Sequence, residues 1–428
     1  MSAGGVLDTI RQAGSSAGKL GAVSLPLAAW PFLLIPYDSL IHLVGLGDTT
    51  GAQTFPATAA FSLVYLALRG WQLKLGARSM TVLKCVAAVG LYTVLLSGVH
   101  LAWESALPTQ LDEAQRVPTA LRQGISYLLG VTTFVMFQDA LLRVGHQRAF
   151  KWVVWAYLPA LLLVPFQAFT LPYRVQGFST EPSQMADAMV FAFLPACAAV
   201  AMNARIRRFV LAIGAVVLIS TFSSTGFMKM GMVGICYYIS TGRALRGFLV
   251  LVLGLLAIYG LLSLWPENYI FATFYGLYDT WEATSSIVNI TFLDRYMGLL
   301  GPLGMLDQPR AWVGLGYGAD AVYFDQIFER DVADAIREVK WGTPALSSLQ
   351  GKMMLYSGLV GYVVYLTGWA TAWRGTTGAK LRAKMHPARF MIPAIFVASL
   401  FSVAPFFIPY TWFWLALGAT AGRQPRDA

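Results

Sequence analysis

The chain has 428 residues, of which 57% are hydrophobic and only 12% charged, with a formal net charge of +10. Soluble globular domains carry about 25% charged residues, so a water-exposed fold is excluded. Apolar windows of about 18–20 residues, the length of a bilayer-crossing helix, recur along the chain.

The expected class is therefore an all-α polytopic membrane protein. The short alternating segments of a β-barrel are not the pattern here. The start, MSAGGVLDTIRQAGSSAGK, is polar and small, and is not expected to be a cleavable signal peptide. Apolar runs follow at 20–46, 54–70, 82–103, 123–142, 151–172 and 185–202. Others lie at 209–223, 226–240, 247–265, 351–373, 389–404 and 407–421. That is about twelve spans by length, grouped as 1–265, an intervening segment 266–350, and 351–428.

Alternate loops are basic. Those at 69–84, 143–151, 203–208, 243–246 and 374–389 hold over half of the 31 Lys and Arg and no Asp or Glu. Cytoplasmic loops collect Lys and Arg, so both termini are expected in the cytoplasm. Loop 171–184 and segment 266–350 are then expected outside. This topology accounts for the positive charge without a nucleic-acid partner. Segment 266–350 is longer than an ordinary connector and rich in Trp and Tyr. Phe324, Ile327, Phe328, Val332 and Ile336 fall at helical spacing, which predicts an amphipathic helix over 323–341. Residues 269–283 read as a second helix, lying at headgroup depth with its aromatics.

The informative cations are those that topology does not explain. Arg174 stands in LPYRVQGFSTEPSQ beside Tyr173, where a span reaches the outer face. Gly177 permits a sharp turn or close approach, and Pro182 fits the first turn of the next helix. An arginine fork at a helix start suits phosphate; alternatively Arg174 snorkels and pairs with Glu181. Lys229 lies inside an apolar span, where a cation is a functional-site candidate by default. Arg295 has Asp294 as a neighbour, so a local salt bridge is its plain alternative. Arg310 precedes Gly314, Gly316 and Gly318, a GxGxG with no strand–helix context for a dinucleotide fold. It reads instead as a tight turn against a ligand or a helix end. Lys352 opens the late span at 351–373. His100 is the histidine candidate for an outer general base, or else a hydrogen-bonding group within the bundle. Cys85, Cys197 and Cys236 fit no metal or disulfide spacing, and no metal or cofactor is expected. Asp331 and Asp334 read as the solvated face of the amphipathic helix.

Taken in order, these pieces resemble one family. YRVQGFSTEPSQMADAMVFAFL is similar to the R-x-x-G-F-x-x-E-P-S segment of Wzy-type polysaccharide polymerases. LISTFSSTGFMKMGMVGICYYIS resembles their Ser-rich, Gly-containing helix start. FLDRYMGLLGPLGMLDQPRAWVGLGYG resembles an outer-loop Arg followed by P-x-x-G-x-G-x-G, and TPALSSLQGKMMLYSGLVGYVVYL resembles the closing helical element. The likeness covers about 170–366, in family order and spacing; upstream, only the helical-bundle character matches.

The resemblance implies a GT-C-like bundle in the bacterial inner membrane with a periplasmic active site. The implied activity is metal-independent polymerisation of undecaprenyl-diphosphate-linked oligosaccharide repeat units. It implies that Arg174 and Arg295 hold the diphosphate, with Glu181 or His100 as base and Tyr173, Gly177, Lys229, Arg310 and Lys352 at the substrate. Membrane lipid, a chain-length regulator and export proteins are the implied partners. Where O-antigen ligases place a histidine, this chain has Gly342, Thr343 and Pro344, which disfavours transfer to lipid A–core. A flippase for the same lipid-linked sugar is the other alternative, disfavoured by the lack of a repeat across halves.

Overall fold

A computed structural model describes residues 27–37, 57–104, 113–170, 182–221, 223–243, 287–327, 348–377, 386–401 and 408–421, with isolated positions at 245–260, 333 and 346. The regular structure among the described residues is entirely helical. The helices are α1 (Ala57–Arg69), α2 (Ala77–Glu104), α3 (Glu113–Val144), α4 (His146–Thr170), α5 (Pro182–Ala188) and α6 (Leu194–Ala199). They continue as α7 (Ala204–Ser220), α8 (Ser224–Ser240), α9 (Ile287–Gly304), α10 (Pro309–Val313), α11 (Ala319–Val322) and α12 (Phe324–Ile327). The last three are α13 (Leu349–Arg374), α14 (Ala388–Phe401) and α15 (Pro409–Thr420).

Among the described residues, four helices are long and apolar enough to cross a membrane: Ala77–Ala102, Val117–Val144, His146–Gln167 and Leu349–Arg374. Ala57–Arg69, Gln184–Ala199 and Ala388–Phe401 are apolar but shorter. Large apolar side chains point outward from these rods, among them Leu91, Leu95, Val99, Leu162 and Phe166. Such a surface is stable against hydrocarbon and unstable against water.

Local sequence sets the helix ends. Gly145 alone separates α3 from α4, at φ +83°, a left-handed stop that glycine adopts without Cβ strain. Asn203 caps α7 through Arg205 N, Ser223 caps α8 through Gly226 N, and Ser348 caps α13 through Gly351 N. Each side-chain oxygen satisfies a donor that the first helical turn leaves open.

The packing centre is α15. All twelve of its residues are buried, as expected of a helix that is apolar on every side. Phe413 meets Phe137 of α3 at 5.5 Å, Phe150 of α4 at 6.1 Å and Phe32 at 6.0 Å between ring centroids. Around this pillar, α13 packs on α2, α8 on α14, and α9 on α13 and α14.

In the intervening segment, α9 packs on α13, so this part of 266–350 is joined to the bundle. Of the amphipathic helix expected over 323–341, Phe324–Ile327 is helical, and most of 328–341 lies outside the described residues. The helix expected at 269–283 lies wholly outside them.

Candidate functional site

Several buried polar centres occur among the described residues. The first joins α5 to α8. A Cβ on Gly226 would lie 2.5 Å from the Ala186 methyl, so the two helices cross closely there. Lys229, one turn along α8 from Gly226, therefore faces Asp187. Its Nζ donates to both Asp187 oxygens at 2.7 Å, with the two side chains only 5% and 13% exposed. Tyr410 of α15 donates its hydroxyl to Asp187 Oδ2 at 3.4 Å.

A π-helical turn, Met189–Phe193, follows α5 directly. Such bulges shift the backbone ladder and recur at functional sites. Here Trp414 of α15 donates its indole N–H to Phe191 O at 2.6 Å, locking the bulge to the central helix.

The second centre is built on the loop Gly314–Gly318. Helix α13 breaks at Gly358, which has φ +63° and ψ −178°. A break leaves carbonyls in the preceding turn without helical donors. Leu315 N and Gly316 N donate to Leu355 O and Tyr356 O, each at 3.0 Å. The loop thus completes the interrupted helix. Gly314, Gly316 and Gly318 stand at φ +107°, +79° and +83°, which excludes ordinary side chains.

Space is equally restrictive. A Cβ at Gly316 would meet Ser97 Cα at 2.7 Å, and one at Gly314 would meet Gly358 N at 2.5 Å. Polar side chains pin the loop: Tyr92 donates to Val313 O at 2.6 Å, Tyr317 N donates to Ser97 Oγ at 2.7 Å, and Gly318 N donates to Gln123 Oε1 at 2.8 Å. His100 Nε2 lies 3.2 Å from Gly314 O.

Asp320 follows immediately and is fully buried. It accepts from Leu346 N at 3.2 Å and Gln123 Nε2 at 3.4 Å, and Lys352 Nζ lies 3.9 Å away.

A third polar cluster lies near the far end of α3. Fully buried Asp139 accepts from Tyr65 at 2.6 Å, Lys74 N at 2.7 Å and Arg143 Nε at 2.8 Å, with Arg69 Nε at 3.6 Å. Close by in sequence, His146 Nδ1 stands 3.0 Å from His386 Nε2, and His146 Nε2 meets Thr420 Oγ1 at 2.9 Å. Burial pushes His386 down to about 4, because the charged imidazolium loses its hydration there.

The sequence-derived candidates distribute unevenly over this frame. Lys229 and Lys352 are the cations facing Asp187 and Asp320. His100 lies against the glycine loop, with its Nε2 facing the Gly314 carbonyl. Arg295 lies half-buried on α9, and Arg310 is exposed on α10. Tyr173, Arg174, Gly177 and Glu181 lie outside the described residues. The GxGxG turns against helices α2, α3 and α13. No group of three or more His, Cys, Asp or Glu suited to a metal occurs among the described residues.

Asp187, Asp320 and Gln123 were not anticipated. Asp187 had a signal, since it is the acid at the start of an apolar run, two runs ahead of the one carrying Lys229. No known protein-family profile matches this chain, and no curated protein matches it either.

Proposed function

We propose that this protein is a membrane glycosyltransferase that polymerises undecaprenyl-diphosphate-linked oligosaccharide repeat units. In this reading it is a Wzy-like polymerase of about twelve spans, with its site on the outer face of the bacterial inner membrane. The supporting observation is how the four resembling segments pair. Asp187 of the first segment holds Lys229 of the second. Gly314 of the third abuts Gly358 of the fourth, and Lys352 of the fourth faces Asp320, two residues beyond the third. Segments spread over nearly two hundred positions thus meet at two buried polar centres.

The chemistry proposed is attack by a sugar hydroxyl on the anomeric carbon of the donor. A new glycosidic C–O bond forms, and the bond to the diphosphate oxygen breaks with its electron pair. Arg174 and Arg295 would stabilise the charge building on that oxygen, and fixed cations act most strongly where water is scarce. The hydroxyl proton passes to a base, Glu181 or His100 in this reading. Attack opposite the leaving group inverts the anomeric centre. Donor, acceptor, a chain-length regulator and export proteins are the partners proposed.

The test uses protein in nanodiscs supplied with lipid-diphosphate-linked repeat units, with products sized on a gel. A ladder from the wild type that is lost in Arg174→Ala and in Arg295→Ala, at equal protein level, is the expected result. Full-length product from both variants would overturn the arginine assignment. Intact lipid-linked substrate with wild-type protein would overturn the polymerase reading.

A further inference from the structure

A groove of about 540 Å³ runs between α2 and α3, within the range of small-molecule sites. Gly90, Leu91, Gly98, Leu121, Gly124 and Tyr317 are among its lining residues. Leu91, Leu121 and Leu128 on its walls are about 60% exposed or more, so it opens sideways from helices that are able to cross a membrane.

The glycines differ in what they do. Gly90 is required by packing, because a Cβ there would lie 2.7 Å from the Tyr127 ring. A Cβ at Gly98 would meet nothing within 4 Å. Glycine weakens a helix interior relative to alanine, and no neighbour demands it at this position. What Gly98 preserves is the open space itself. Gly124 keeps similar space, with Tyr317 at an ordinary 3.5 Å from its notional Cβ.

The length of the groove selects its occupant. Its lining extends from Ala87 to Leu101 on α2 and from Val117 to Val131 on α3. At a rise of about 1.5 Å per residue each wall is about 21 Å long. Half of a hydrocarbon core of about 30 Å is about 15 Å. The groove is longer than the leaflet that an ordinary acyl chain fills. One end reaches Tyr317 and Ser97, where the glycine loop is pinned. Arg122, exposed beside Leu121, supplies a cation at that end, suited to an anionic head.

We infer that this groove holds the polyprenyl tail of a lipid diphosphate, leading its head to the end of the bundle that carries the glycine loop. The inference rests on the lipid-carrier reading of the proposed function, and it fixes where the tail lies.

The test uses the full chain in phosphatidylglycerol nanodiscs and a sugar-free polyprenyl diphosphate carrying a diazirine on its tail. Labelled peptides are mapped by mass spectrometry, with a diazirine-bearing phosphatidylglycerol as the second probe. The expected label falls on 87–101 and 117–131 and is displaced by excess undecaprenyl diphosphate. It drops at least fivefold in Gly98→Leu and in Leu121→Trp. Neither variant should melt below the wild type, and Leu162→Phe on the exposed face of α4 should label normally. Saturable labelling at other helices would overturn the groove and leave carrier binding intact. Equal labelling of the groove by the phosphatidylglycerol probe would make it an ordinary lipid crevice and overturn the inference. Absence of saturable labelling anywhere would overturn both the groove and the lipid-carrier reading.

Discussion

Lys229 and Asp187 form a two-pronged ion pair, with one ammonium 2.7 Å from each carboxylate oxygen, between α5, which opens at Pro182, and the inward face of α8. Neither charge is stable alone at that burial. Removing one partner of a buried pair costs about 3–5 kcal/mol, because the other charge stays desolvated. Lys229→Met and Asp187→Leu should each lower the thermal midpoint in detergent sharply. The double substitution should recover most of that loss, since a buried pair replaced by apolar side chains is often neutral. Glycan polymerisation should not return with it. Recovery of both stability and polymerisation would reduce the pair to packing.

Gly358 of α13 and Gly98 of α2 give opposite outcomes from one substitution type. Gly358→Ala places a Cβ at φ +63°, against the backbone of Trp312, Val313 and Gly314. Strain of this kind costs about 1–3 kcal/mol before any overlap is counted, so the variant should be poorly produced or melt early. Gly98→Ala, in regular helix with nothing within 4 Å, should gain about 0.5–1 kcal/mol. Melting curves of the two variants against wild type check both signs.

The membrane class was legible from composition, because hydrocarbon and water demand different surfaces. Helix starts were legible at Pro182, which opens α5 as its placement in the sequence suggests. The role of α15 was not. A short apolar run reads like another span, and its position at the centre follows from contacts with Phe137, Phe150 and Phe32, which lie far away in sequence. Lys229 stood out because a lone cation in an apolar run is costly, and the same reasoning fits Asp187 once the two are paired. Gln123 and Asp320 carried no comparable mark. Their importance comes from the break at Gly358 and the loop that fills it, a long-range event that local pattern does not encode.

His386 makes stability pH-dependent with a definite sign. In the folded protein burial holds it at about 4, against about 6.5 in an unfolded chain. The unfolded state therefore takes up the proton first as pH falls. The contribution of His386 is fully present above about 6.5 and is lost as pH drops toward 4, with a slope of up to about 1.4 kcal/mol per pH unit for that proton. His146 and Thr420 are the polar side chains linked to it in this contact. The thermal midpoint should fall across this window in the wild type and fall less steeply in His386→Asn. Parallel pH curves for the two proteins would contradict the assignment.

Asp139 is a different kind of anchor, one carboxylate serving α1, the turn before α2, and α3. Its side chain is fully buried, and Arg69 and Arg143 are 4% and 14% exposed. Asp139→Asn keeps the shape and removes the charge, leaving two guanidinium groups facing a neutral amide. The expected loss is about 3–5 kcal/mol, the scale for breaking a buried pair. Salt dependence separates this from a surface effect. Exposed pairs are screened once the Debye length shrinks from about 10 Å at 0.1 M to about 3 Å at 1 M salt, while buried ones are screened far less. The gap in thermal midpoint between wild type and Asp139→Asn should therefore persist across that range. A gap that closes in high salt would place the cluster in contact with solvent and remove it from the set of interior anchors.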